Sequence, residues 1–131
     1  MKIKNGTIII VTGICHVTLG VSPFAFGKQF IEFSDSSFFK ISNGLMEFPL
    51  MNGQMNFENF SAFWFFYFGV SLLSIGSLVM HIEKKEDFPP TSFIWIYLIT
   101  VLVGVYMIPL SGMTFLMLPH AIYMLRQKIK K

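Results

Sequence analysis

Charge is what this sequence has least of. Only 13% of its 131 residues are Asp, Glu, Lys or Arg, against roughly a quarter in an ordinary soluble domain. Four runs, 6–26, 60–82, 91–108 and 112–125, hold none at all. With 53% hydrophobic and 17% aromatic residues the chain is far too sticky to remain disordered. The single cysteine, Cys15, excludes an internal disulfide and leaves the redox compartment open. There is no Ser-His-Asp set, no paired carboxylates, no Walker loop and no CxxC, so no residue is assigned a catalytic role. A nucleic-acid face is excluded as well. The net charge is only +3, and four of the ten basic residues crowd into the last six positions. Alanine is scarce too, at three residues against sixteen phenylalanines, and nine lysines face one arginine. An AT-rich bacterial genome writes that bias.

What is there instead is a set of apolar runs. Phe60 to Ile82 is the organising one, since about 20 apolar residues at 1.5 Å each cross a hydrocarbon core of about 30 Å. Ala62, Gly69 and Gly76 recur on it every seventh residue, a small-residue seam for close backbone approach. Tyr67, Ser71, Ser74 and His81 fall on the opposite side, which predicts neighbours on both faces. Gly6 to Phe26 reads as a first span after Lys2 and Lys4. The same pattern suits a signal peptide, but its length and the interrupting Thr12, His16 and Thr18 favour a retained helix. Residues 91–108 make a third span, started at Pro89-Pro90 and closed by Pro109; residues 112–125 make a short fourth, kinked at Pro119.

The fold expected is therefore an all-α, single-domain, four-helix transmembrane bundle. Between its first two helices lies a long extracytoplasmic loop, 27–59. Phe30, Phe33 and Ile41 predict a short interfacial helix there, ending near Asn43-Gly44, with turns at Pro49 and Asn52-Gly53. Four spans put eight of the ten basic residues on one side of the bilayer and leave Lys28 and Lys40 on the other. The excess of positive charge marks the cytoplasmic side, so both termini belong in the cytoplasm of a multi-pass inner-membrane protein.

The ligand-binding candidates are His16, Thr12, His120 and Tyr97. His16 falls near mid-membrane with Thr12, Gly13 and Gly20 around it, where an ionisable side chain either ties helices together or holds a ligand. Met113, Met117, His120 and Met124 form one stripe. With Cys15, Met46, Met51 and Met55 they are soft donors suited to Cu(I), and His16 with His120 suits bis-histidine haem. Packing accounts for both sets more simply, because methionine substitutes freely for leucine in an apolar core. No metal or cofactor is called for. Tyr97, Thr100 and Gly104 share a face that predicts one interhelical hydrogen bond. Gly13, Gly20, Gly69, Gly76 and Gly104 are assigned to helix packing.

Gly13-x-x-His16-x-x-x-Gly20, Ala62-Phe63-Trp64-Phe65 followed by Gly69, and Pro109-x-Ser111-Gly112 with Pro119 together carry a resemblance. They are similar to a family of small bacterial four-span inner-membrane proteins catalogued as a domain of unknown function. The resemblance implies four helices and the inner membrane, and no activity. The expected role is a non-enzymatic accessory or homo-oligomeric membrane component. Its partners are the lipid bilayer, further copies or other membrane proteins. The alternative is a binder or carrier of a small apolar or soft ligand (lipid-like molecule, metal or haem) on the His16 face.

Overall fold

The computed structural model describes residues 4–36, 41–42, 45–46, 50–51 and 54–130. Helix α1 is Asn5–Gly20, α2 Gly27–Ser36, α3 Phe57–Glu86, α4 Thr91–Met107 and α5 Leu118–Ile129, the last entered through a π-helical turn, Met113–Met117. Between α2 and α3 lie two short antiparallel ladders. Strand β1 (Ile41–Ser42) pairs with β2 (Leu45–Met46), and β3 (Leu50–Met51) with β4 (Gln54–Met55). The fold is otherwise all helical among the described residues. The chain packs as two compact units, Met1–Thr12 with Leu72–Lys131 and Gly13–Ser71.

Several boundaries differ from the sequence expectation for physical reasons. The first helix stops at Gly20 instead of 26, and residues 21–26 turn, the Gly27 amide donating to the Ser22 carbonyl at 2.9 Å. Pro23, which cannot donate to a helical ladder, sits in that turn. The short helix in the 27–59 connection ends at Ser36, and Ile41 belongs to β1. The turns expected at Asn43-Gly44, Pro49 and Asn52-Gly53 lie outside the described residues. Helix α3 begins earlier and runs later than 60–82. Asn56 supports its start, its side-chain oxygen accepting from the Asn59 amide at 3.1 Å in the manner of an N-cap. At its other end the charged residues Glu83–Glu86 continue the helix, and the chain leaves it through Asp87 in the left-handed region (φ 63°).

By length and composition α3 is, among the described residues, the one helix able to cross a membrane; α1 and α4 are apolar but shorter. Only 22% of the most apolar stretch of α3 is buried. Tyr67, Ser74 and His81 are exposed, and the Ser71 hydroxyl donates to the Tyr67 carbonyl of its own helix at 2.9 Å. The second set of neighbours expected on that face is thus not supplied by the described part of the chain.

In the unit formed by Met1–Thr12 and Leu72–Lys131, the core is built from Ile9, Leu72, Val79, Ile94, Val101, Met117, Ala121 and Met124, each at most 5% exposed. α1 and α3 meet there backbone to backbone. A Cβ on Gly76 would fall 2.7 Å from Ile10 Cγ1 and 2.9 Å from the Gly6 carbonyl oxygen, and one on Gly6 would collide with the Met80 amide. In the unit Gly13–Ser71, α3 presents Phe65 and Phe66 to the earlier segments. Phe26 lies 5.1 Å from the Phe65 ring and Phe30 5.0 Å from Phe66.

Candidate functional site

The π turn decides where α5 points. Its closing amide, Leu118, donates to the Met113 carbonyl five residues back, one residue more than an α-helix allows. Pro119 follows in the first turn of α5, where its missing amide costs little. The kink expected at Pro119 is absorbed by this wide turn. The helix then carries Met117, His120, Ala121 and Met124 inward.

His120 meets α4 at Tyr97. The Tyr97 hydroxyl lies 3.1 Å from His120 Nδ1, and the rings stand edge to face with centroids 5.5 Å apart. Both side chains are buried. Nε2, the other ring nitrogen, is buried with no hydrogen-bond partner among the described residues. His120 also forms part of the wall of an open groove of about 410 Å³, together with Ile8, Pro119 and Tyr123. Thr100, placed with Tyr97 by the sequence, instead turns its hydroxyl to the Ile96 carbonyl of its own helix at 2.9 Å. Gly104 lies beneath Met113, whose Cγ would stand 3.0 Å from a Cβ there.

The same unit holds a carboxylate that follows directly on the charge-free run of 60–82. Glu83 is only 6% exposed and closes the N-terminus of α1. Its Oε1 accepts from the Asn5 amide at 3.0 Å and from Asn5 Nδ2 at 2.7 Å, while Oε2 accepts from the Gly6 amide at 3.0 Å. The first amides of a helix have no partner within it and carry its positive end, so a buried anion there is both bonded and compensated. Gln127 of α5 accepts a longer bond from Asn5 Nδ2 at 3.4 Å. Extending the run of 60–82 by one helical residue would have put Glu83 on the buried Gly76 and Val79 face of α3.

His16 lies in the other unit. It is half-buried, its ring stacked on Phe65 at 3.8 Å and set edge-on to Phe68 at 5.3 Å. Nδ1 is buried against Gly69, facing the Phe65 backbone without hydrogen-bond geometry, and no hydroxyl bonds to it among the described residues. A Cβ on Gly69 would sit 2.7 Å from Val17 Cγ2, and one on Gly20 would strike the Phe65 ring at 2.9 Å. Gly13 is buried. Thr12 spends its hydroxyl on the Ile8 carbonyl at 2.9 Å. The four candidates therefore separate: Tyr97 and His120 come together, whereas Thr12 and His16 each make their own local contacts. Cys15 is exposed, and no cluster of three His, Cys, Asp or Glu occurs among the described residues.

No curated protein and no solved structure matches the chain. One family does, along its whole length, residues 1–131, and it is described as "Family of unknown function (DUF6463)". With every residue inside that match, the chain belongs to this family.

Proposed function

We propose that the chain is a multi-pass integral membrane protein without catalytic activity, an accessory or self-associating component of the bacterial inner membrane. One observation carries this reading: α3, 30 residues long, leaves most of its apolar stretch uncovered. The core helix of a soluble protein would be mostly buried. Uncovered apolar surface on this scale needs either lipid or a partner. Helix α4 adds to it, with Trp95, Ile96, Ile99, Leu102, Val103 and Tyr106 all exposed. In this reading α1, α3, α4 and the π turn with α5 are the four spans. The buried Glu83, which caps α1, sits at the cytoplasmic edge beside Lys84 and Lys85. Both termini face the cytoplasm, as the distribution of lysines favours.

A reporter fused after Lys131 tests this directly. It should be active only in the cytoplasm, one inserted at Asn52-Gly53 should be active only outside, and the protein should resist extraction from membranes by alkaline carbonate. Release into the carbonate supernatant would end the membrane reading; an external C-terminus would end the four-span count. The second reading, a ligand binder, loses support at His16, whose ring is taken up by Phe65 and Phe68. It gains support at His120, which has an unpartnered nitrogen and a groove beside it.

A further inference from the structure

In the membrane reading, the hairpin made by α4, the π turn and α5 is too short for the bilayer. Its limbs pack antiparallel. Lys128 Nζ stands 5.8 Å from the centre of the Phe88 ring, the Tyr97 hydroxyl 3.1 Å from His120 Nδ1, and Gly104 lies beneath Met113. Helix α4 has 17 residues, about 25 Å at 1.5 Å per residue. The returning limb reaches less far. Gln127, between Arg126 and Lys128, bonds to Asn5, which bonds to Glu83, and this polar layer marks the cytoplasmic boundary. Fifteen residues, about 22 Å of helix, separate Gln127 from Gly112 at the tip. A hydrocarbon core of about 30 Å exceeds both limbs, and tilting a limb only shortens its reach.

The tip is held between water and hydrocarbon. Residues 88–125 contain no Asp, Glu, Lys or Arg, so no charge draws the turn out into water. Tyr106 and Leu110 are each 87% exposed there, with Met107 and Ile108 exposed beside them. These four side chains oppose leaving the lipid. The backbone opposes going deeper. The last carbonyls of α4 and the first amides of the π turn have no partner within their helices, and no side chain caps the π turn. Part of the turn is satisfied internally, since Pro109 has no amide and its carbonyl accepts from the Thr114 hydroxyl at 2.6 Å. The remaining groups find nothing to bond in hydrocarbon. The ester layer of a phospholipid leaflet offers carbonyls to the amides and bound water to the carbonyls, with acyl chains directly beneath for the side chains.

We propose that the hairpin tip, residues 106–112, lodges in the ester layer of the outer leaflet, and that the short hairpin draws this layer inward, thinning the bilayer beside it by about 5–8 Å. The proposal rests on the membrane reading and says where its third and fourth spans meet the lipid.

The test places a nitroxide at Gly112→Cys in a chain that also carries Cys15→Ala. Nothing lies near a Cβ built on Gly112, so the label has room. Labels at Leu102→Cys, exposed midway along α4, and at Lys130→Cys, exposed past the end of α5, are the references for hydrocarbon and water. Collisions with oxygen and with a water-soluble nickel chelate are measured in phosphatidylcholine vesicles. At Gly112 both rates should fall between those of the two references. Nickel collisions equal to those at Lys130 would put the tip in outside water and overturn the proposal. Nickel exclusion as complete as at Leu102 would put it in hydrocarbon, and few collisions with either reagent would mean that a second copy covers it; both outcomes overturn the proposal as well. Water-like nickel collisions at Leu102 itself would refute the membrane reading, and the proposal with it. Thickness is read from thermal unfolding of the unlabelled protein in phosphatidylcholines of graded chain length. Tm should peak where the core is about 22–25 Å thick and fall as the core thickens. A peak at about 30 Å or above, or no dependence on chain length, overturns the thinning.

Discussion

Glu83 offers the sharpest perturbation, because three donors converge on one buried carboxylate. Glu83→Ala removes every acceptor and leaves the Asn5 and Gly6 amides at the exposed-dipole end of α1 without a protein partner. A hydrogen bond to a charged group contributes about 1.5–3 kcal/mol, and an anion at a partly buried helix N-terminus contributes up to about 2 kcal/mol. Part of this is returned, since Ala spares the cost of burying the charge. A net loss of about 3 kcal/mol is expected, or about 10 °C in Tm for a chain of this size. Glu83→Gln should cost less, about 1–2 kcal/mol. Its amide oxygen still serves the Asn5 pair, while its NH2 faces the Gly6 amide donor to donor. Glu86→Ala, three residues on and exposed, is the control and should be close to silent. Thermal unfolding in detergent, followed by Trp64 and Trp95 fluorescence, measures the three shifts. Hydrogen exchange at Gly6 should quicken in Glu83→Ala before global unfolding. Equal shifts for Glu83→Ala and Glu86→Ala would refute the capping argument.

Gly76→Leu should destabilise the detergent-solubilised protein by about 1–3 kcal/mol, because the new side chain meets the α1 backbone at Gly6 and Ile10; Gly112→Ala, with open space around it, should leave Tm unchanged. Gly104→Ala should cost less than about 1 kcal/mol in the same melt, since the Met113 side chain it meets is flexible. His16→Gln should lose the stacking on Phe65 and lower stability by about 1 kcal/mol, whereas His16→Phe should retain most of it. Tyr97→Phe removes the partner of His120 Nδ1 and should cost about 1 kcal/mol, with a change in the 15N shifts of His120 confirming that its tautomer is no longer held.

Some of this protein was legible in residue order alone. Where charge stops and apolar runs begin is a one-dimensional property, and it places the helices of residues 60–82 and 91–108 to within a few residues, whereas the N-terminal run of 6–26 overshoots a helix that ends at Gly20. Heptad-spaced glycines are equally local, so Gly69 and Gly76 could be singled out as positions without side-chain volume. The terminal turns were less legible. Ser22 and Gly27 close the turn between one helix and the next by a hydrogen bond that apolarity does not register. The entry to α5 depends on a π turn, whose extra residue leaves no mark on hydropathy.

Tertiary structure alone decided the polar partnerships. Glu83 and Asn5 are 78 residues apart, and nothing local distinguishes Glu83 from Glu86 except the face of α3 on which each falls. Likewise Tyr97 and His120 each sit in an apolar helix, and they pair because the π turn rotates α5 until the imidazole reaches the phenol. His16, the residue that sequence position favours most, packs its ring between phenylalanines instead. Hydropathy along the chain can state that a buried polar group must find a partner. Which partner it finds is a matter of distance in space, and that is set only when the helices pack.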